Sequence, residues 1–244
     1  MPRLSTRCIP AAALLGSLFA LGGLPEAGAT TPSHLYELNG SFADALGGPA
    51  LNPLGGSLGA SSYSFAANQG LSLDNAVGSS IYTIDTSFAL DQTNGYRRLL
   101  DFKNALSDTG LYNLSTALNF YNVATGGSGA FANGQTVRLT VSRDAAGNFS
   151  GYINGVLQIS FNDTAGLAQF SGPNQVARFF VDDNAVGGEA SAGSVDYIAI
   201  YDTALSAAEI ANLHPAVPEP QSYALLLSGL AALAWVKRRT DKQR

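Results

Sequence analysis

The sequence predicts an all-β protein made of antiparallel strands, and three features of the chain lead to this fold class. Between residues 30 and 216, short apolar stretches are broken by Gly, Asn, Asp and Ser, a texture typical of strands and turns. One segment, residues 135–161, has the pattern of a three-strand antiparallel meander. A helical pattern is visible only once in this domain, after residue 206.

The candidate strands follow one another at short intervals along the domain. They are separated by turn-forming residues such as Asn39 and Gly40, and residues 41–59, rich in Gly and Pro, are predicted to form a loop. The predicted strands are residues 35–38, 62–66, 70–73, 80–90, 96–103, 110–114, 117–121, 135–143, 149–153, 156–161, 176–182 and 194–201.

The meander carries the strongest local pattern. In residues 135–143, apolar side chains occupy every second position from Val137 to Val141, so they share one face of a strand. Asn154 and Gly155 separate the next two strands, and both residues tolerate positive φ. This pair predicts a two-residue type I′ hairpin turn.

The single predicted helix covers residues 207–213. Ser206 is placed to cap its N-terminus, and Glu209, three residues later, completes a capping box. Pro215 follows the helix and ends it.

The N-terminus has the three parts of a signal peptide. Arg3 and Arg7 give a positive start, residues 9–24 are apolar and small, and residues 27–29 read Ala-Gly-Ala. This pattern predicts that residues 1–29 are a signal peptide cleaved before Thr30, and that the mature domain covers residues 30–216.

The C-terminal tail, residues 217–244, has three parts in a fixed order. An apolar segment, residues 221–236, would span about 24 Å as a helix, and a basic end, residues 237–244, belongs on the cytoplasmic side of a membrane. Before them stands an acidic, proline-bearing motif made of Val217, Pro218, Glu219 and Pro220.

This tail resembles the PEP-CTERM sorting signal of Gram-negative bacteria. The resemblance implies that an exosortase, a membrane transpeptidase, processes the tail during export. The expected location is first the inner membrane, as an anchored precursor, and then the cell surface or extracellular matrix. The alternative is an ordinary C-terminal membrane anchor that happens to follow Pro-Glu-Pro.

A second resemblance covers much of the domain itself. The run Gly147–Gly155 is similar to the strand, Asn-Gly, strand element of laminin-G-like domains of the concanavalin A type, and 193–202 with 204–210 is similar to their closing strand and helix. The resemblance implies a jelly-roll β-sandwich of two packed antiparallel sheets. Such sandwiches include lectins, adhesion modules, glucanases and inert spacers, so it implies no single function.

The charge of the domain disfavours nucleic acid as a partner. Residues 30–216 contain six basic and fifteen acidic residues, a net charge of −9. An acidic domain binds a phosphate backbone poorly.

No catalytic pattern stands out in the sequence. Glucanases of this type usually present Glu-x-Asp-x-x-Glu on one strand, whereas this domain has only three glutamates, Glu37, Glu189 and Glu209, all far apart. Its two histidines, His34 and His214, lie at the two ends of the domain, so a catalytic triad has no base. The sequence therefore predicts that the protein is not an enzyme.

A calcium site is the sharpest chemical hypothesis that the residues support. Asp182, Asp183 and Asn184 end a predicted strand, and Glu189 returns after two glycines, so several oxygens can surround one point. The resemblance also implies calcium at the sandwich rim. Asp182, Asp183 and Glu189 are the predicted ligands; the alternative is a solvated acidic loop.

The resemblance is compatible with carbohydrate binding, by analogy with the lectins that share this sandwich. The domain supplies aromatic rings that could stack on sugars, although strand alternation also fits each of them to sheet packing: Tyr96, Tyr112, Tyr121, Tyr152 and Tyr201. We expect an exported, non-catalytic surface or matrix module that binds extracellular polysaccharide. The alternatives are an adhesion or structural module, and a divergent glycan hydrolase.

Overall fold

The computed structural model describes residues 30–77, 80–170 and 175–213. The predicted signal peptide, the sorting tail and His214 lie outside these ranges. Within them, no helix has the length and apolar character needed to cross a membrane. The described residues form fifteen strands and one helix: β1 His34–Tyr36, β2 Asn52–Pro53, β3 Ser57–Leu58, β4 Tyr63–Phe65, β5 Leu71–Leu73, β6 Tyr82–Leu90, β7 Tyr96–Asp101, β8 Gly110–Leu114, β9 Ala117–Phe120, β10 Ala124–Thr125, β11 Thr136–Arg143, β12 Asn148–Ile153, β13 Val156–Asn162, β14 Ala177–Phe179, β15 Gly193–Tyr201 and α1 Ala207–Asn212.

The strands form two sheets in which the paired strands are antiparallel. Sheet A contains eight strands in the order β13-β12-β11-β6-β15-β4-β3, with β1 also paired to β15. Sheet B contains seven strands in the order β10-β9-β8-β7-β14-β5-β2. The predicted all-β antiparallel sandwich is therefore confirmed.

The core lies between the two sheets and is rich in aromatic rings. Val137 and Val141 of β11 are buried in it, as their alternation predicted. Phe102 and Phe120 from sheet B meet Phe149 of β12, with ring centroids 5.4 to 6.3 Å apart. These contacts join the sheets, and burial of each such ring contributes about 1.5–3 kcal/mol.

The predicted turn of the meander is present. β11 pairs with β12 and β12 with β13, and the last two strands are joined by Asn154 and Gly155. These residues have φ angles of 52° and 78°, the positive values that a type I′ turn requires.

Helix α1 packs on part of the outer face of sheet A. Ile210 is fully buried there against Tyr152, Tyr197 and Tyr201, so two of the five candidate sugar-binding tyrosines pack under this helix. The predicted capping box is present, and Arg138 of β11 donates hydrogen bonds to the helix-end carbonyls of Ile210 and Leu213. Cation contact with helix-end carbonyls is favourable because those groups lack partners inside the helix.

One predicted strand is much shorter than expected, and this difference shapes the site. The sequence predicted strand 176–182, but β14 ends at Phe179 because Phe180 adopts a φ of 60°. Its ring is buried in the core, and the chain that follows leaves the sheet. The short strands β2, β3 and β10, each of two residues, were not predicted.

Candidate functional site

Three tyrosines lie together on the outer face of sheet B. Leu111 and Phe120 point into the core, so the pleat directs their neighbours Tyr112 and Tyr121 to the opposite face. Tyr96 of β7 joins them, and the three ring centroids lie 5.4, 5.8 and 6.0 Å apart. Asn119, which pairs with Tyr112 across the strands, shares this face. We call the group formed by Tyr96, Tyr112, Asn119 and Tyr121 the tyrosine face; Tyr96 and Tyr121 are half-buried, whereas Tyr112 and Asn119 are buried.

The guanidinium of Arg98 lies directly on this aromatic group. Its central carbon is 4.3 Å from the ring centroid of Tyr112, a cation–π distance, and Arg98 is only 1% exposed. Arg98 is opposite Tyr112 in the β7–β8 ladder, so strand register places the two side chains together.

The segment 180–189 brings carboxylates to the same place. After Phe180, the chain passes over sheet B and returns to β7, where the Arg98 N–H donates to the Glu189 carbonyl at 2.7 Å. Within this segment, Asp183 is buried and forms an ion pair with Arg98. Its other carboxylate oxygen accepts the N–H of Ala185 at 2.6 Å, which fixes its orientation.

A third carboxylate completes an acidic group. Asp108, in the turn between β7 and β8, lies beside Asp183 and Glu189, and one carboxylate oxygen from each lies within 4.8 Å of the others. We call these three residues the acid cluster. Asp108 is distant in sequence from the other two, and no local pattern marks it.

The predicted calcium ligands are only partly brought together. Asp183 and Glu189 belong to the acid cluster, whereas the carboxylate of Asp182 accepts the backbone N–H groups of Asp183 at 3.0 Å and Glu189 at 2.8 Å. Asn184 has an exposed side chain. Asp182 therefore shapes the loop, and the calcium site remains a prediction.

Burial changes the acidity of groups in this site. It raises the pKa of Glu189, and the charges of Asp182 and Asp108 raise it further, against a hydrogen bond from Tyr112 and the charge of Arg98. Burial also raises the pKa of the Tyr112 hydroxyl far above its usual value. Glu189 therefore keeps its proton to a higher pH than a free glutamate does.

Unpartnered polar atoms concentrate around the site. Buried polar atoms in folded proteins nearly always have hydrogen-bond partners, so such a concentration needs an explanation. Among the described residues, seven buried side-chain atoms lack a partner, and only the last of them lies elsewhere: Arg97 Nε, Arg98 Nε, Asp101 Oδ1, Asp108 Oδ1, Asn119 Oδ1, Glu189 Oε2 and Arg138 Nε.

A cleft beside α1 offers a contrast. It has a volume of 280 Å³ and is lined by Asp144, Asn148, Tyr152 and Ser206, among others. Its polar groups bond to one another: Asp144 accepts both the N–H and the side-chain amide of Asn148 at 2.8 Å. The acceptors near the tyrosine face are less completely satisfied.

Two antiparallel sheets packed face to face define the class of concanavalin A-like sandwiches. The Laminin_G_3 family model, described as the concanavalin A-like lectin/glucanases superfamily, matches residues 61–211. The chain belongs to this family. No curated protein matches the chain in sequence.

Solved structures with the same fold include carbohydrate-active proteins. Domain 4 of AbnA, a GH43 extracellular arabinanase from Geobacillus stearothermophilus, in complex with arabinotriose, is 18% identical, with a TM-score of 0.55; the match covers 75% of this chain and 98% of that one. Trypanosoma rangeli sialidase in complex with sialic acid is 12% identical, with a TM-score of 0.56, over 72% of this chain and 31% of that one. The botulinum neurotoxin serotype D binding domain is 12% identical, with a TM-score of 0.52, over 74% and 50%. The chain thus spans about a third of the sialidase.

These similarities correct one prediction. The sequence analysis predicted that the protein is not an enzyme, and that prediction is wrong as an inference from sequence and fold, because glycoside hydrolases are among the similar structures. The fold is consistent with a lectin or an enzyme. The argument from spacing also fails, since the fold brings Asp108 and Glu189 together although no strand carries both.

Proposed function

We propose that the protein is an exported carbohydrate-binding module whose ligand lies on the tyrosine face. The observation that carries this proposal is a combination on one side of sheet B. The half-buried rings of Tyr96 and Tyr121 pack against the buried ring of Tyr112, and nearby acceptors have no partner. Sugars offer C–H faces that stack on aromatic rings and hydroxyl groups that donate to such acceptors. The arabinotriose complex of the AbnA domain, which the match covers almost completely, supports a saccharide as the ligand class.

The direct test is glycan retention by the full-length chain on an immobilised panel of neutral and acidic polysaccharides. Tyr96→Ala and Tyr121→Ala each remove a half-buried ring, and each should weaken retention about 3- to 10-fold, the usual worth of an aromatic contact. Leu157→Ala is the matched control, because Leu157 is 52% exposed on sheet A, away from the site. Retention that is unaffected by either tyrosine change would refute the tyrosine face; no retention on any glycan would favour an adhesion or structural module.

Export and sorting belong to the same proposal. The signal peptide, residues 1–29, and the tail, residues 217–244 with its motif Val217–Pro220, support delivery beyond the inner membrane and processing by an exosortase. Fractionation of cells with and without an exosortase gene tests this. A tail of unchanged mass in both cells would contradict processing and leave a plain membrane anchor.

A second candidate function is hydrolysis of a bound glycan by Asp108 and Glu189. Retaining glycosidases place two carboxyl groups about 5 Å apart, and the facing oxygens here lie within 4.8 Å. Protonated Glu189 would give its proton to the leaving oxygen as the glycosidic C–O bond breaks, while the Asp108 carboxylate bonds to the anomeric carbon. Water then displaces Asp108 and returns a proton to Glu189.

Turnover separates the two candidates. If the protein is a hydrolase, Asp108→Asn and Glu189→Gln should each abolish release of reducing ends while retention of the glycan persists. If wild-type protein retains a glycan and releases no reducing ends, the binding module stands and hydrolysis is refuted for that glycan.

A further inference from the structure

The buried guanidinium of Arg98 is surrounded by oxygen atoms from three separate segments of the chain. All of them are backbone carbonyl or carboxylate oxygens. The neighbours are Asp183 Oδ2, Ser107 O at 3.3 Å, Thr109 O at 3.3 Å, Asp108 O at 3.5 Å and Asp101 Oδ1 at 3.7 Å.

Carbonyl and carboxylate oxygens gathered around one point are the donor set that Ca²⁺ takes in proteins. Here a permanently charged side chain lies among them, and it compensates the buried charges of Asp101 and Asp183. A divalent ion at the same point would face the positive charge of Arg98 at close range. The donors present therefore suit the guanidinium and do not suit a metal beside it.

We infer that Arg98 is the resident cation of this site: it fixes turn 107–109 and Asp183 beneath the tyrosine face, so the site forms without a divalent metal. The calcium predicted from Asp182, Asp183 and Glu189 is then unnecessary. Arg98 is a positioning residue, because it acts by holding Tyr112 and the acid cluster in place.

Gly110 provides independent support for this role. A Cβ atom at position 110 would collide with Nη1 of Arg98 and would lie 2.9 Å from the carbonyl oxygen of Leu100. The backbone φ of Gly110 is not in the left-handed region, so conformation does not require glycine here. The space taken by the guanidinium, together with the Leu100 carbonyl, does require it.

The test compares the full-length chain with its Arg98→Met and Arg98→Lys variants in EDTA and in excess CaCl₂, by thermal melting. Wild-type Tm should be the same in both. Arg98→Met leaves Asp183 buried without a partner and should lower Tm by about 10 °C in EDTA. The vacated oxygens can then take calcium, which should restore about 5 °C. Arg98→Lys keeps the charge, reaches fewer acceptors, and should show a smaller loss with no calcium response.

Arg178→Met is the matched control. Arg178 is half-buried on β14 and bonds the side-chain oxygen of Asn104 at 3.0 and 3.1 Å, so its loss should lower Tm slightly and create no calcium response. If Arg98→Met does not fold, Gly110→Ala is measured instead, because its Cβ displaces the guanidinium without changing the net charge. Its Tm should also be lower than that of wild type.

Two results would overturn the inference: a wild-type Tm that rises by several degrees with calcium, or an Arg98→Met variant as stable as wild type in EDTA. Glycan retention is measured on the same samples and rests on the proposed function. If neither wild type nor any variant retains glycan while the melting temperatures change as expected, the proposed function fails and the role of Arg98 stands.

Discussion

The outer faces of the two sheets use the same residue types in opposite ways. On sheet A, Asp85 is buried with Arg138, Tyr197 and Thr140; Thr140 and Tyr197 each donate to one of its carboxylate oxygens, and helix α1 packs on part of that face. On sheet B, an arginine, a tyrosine and carboxylates also meet, but acceptors of Asp108, Asn119 and Glu189 remain without partners. Both oxygens of Asp85 have donors, and in that network only Nε of Arg138 lacks a partner, whereas the open acceptors on sheet B leave bonding capacity for a ligand.

The largest expected effect is at Asp85. Asp85→Ala leaves Arg138 and Tyr197 without their buried acceptor and should lower the free energy of unfolding by about 3–5 kcal/mol. Asp108→Ala removes a half-buried carboxylate with an unpartnered oxygen and should change it by less than about 1 kcal/mol. Urea denaturation measures the free energy of unfolding of both variants. Equal losses would contradict the difference proposed between the two faces.

A moderate effect is expected at the capping box of α1. The hydroxyl of Ser206 accepts the backbone N–H of Glu209 at 3.3 Å, so Ser206→Ala should lower the free energy of unfolding by about 1 kcal/mol. Retention of glycan should not change, because α1 lies on sheet A. A loss of retention in a folded Ser206→Ala protein would mean that the ligand site extends to α1.

The smallest effect is a pH dependence at Glu189. The folded-state pKa of this carboxyl is raised above its usual 4.5, so the folded protein binds its proton more tightly than the unfolded chain does. Its contribution is present below pH 4.5 and is lost as pH rises through the raised value. Wild type should therefore lose stability relative to Glu189→Gln over that interval, by denaturation at several pH values. Parallel curves for the two proteins would contradict the shift.

Local features of the fold were predictable from sequence, and long-range ones were not. The Asn154–Gly155 turn and the Ser206 capping box depend on neighbouring residues, so their patterns were enough. The acid cluster depends on Phe180, whose positive φ turns the chain over β7 and selects Asp183 rather than Asp182 for the site. Asp108 joins them only because sheet B pairs β7 with β8.

The exposure of the tyrosines is another long-range feature that the sequence pattern does not predict. Strand alternation predicts which face of its sheet Tyr112 or Tyr152 occupies. It does not predict whether another part of the chain covers that face. Helix α1 covers Tyr152, and Tyr112 is 0% exposed where it meets Asp183 of segment 180–189. Tyr96 and Tyr121 are the members of the tyrosine face that stay half-buried. Which tyrosine is available to a ligand is thus decided by the packing of an element far along the chain.

The hydrogen bonds from Arg138 to the end of α1 determine on which side of the sandwich the helix ends. Leu213, the last described residue, is held on the sheet A side of the sandwich, opposite the sheet that carries the tyrosine face. If the proposed tail anchors the protein, attachment beyond Leu213 would leave the tyrosine face on the side of the domain opposite the anchor.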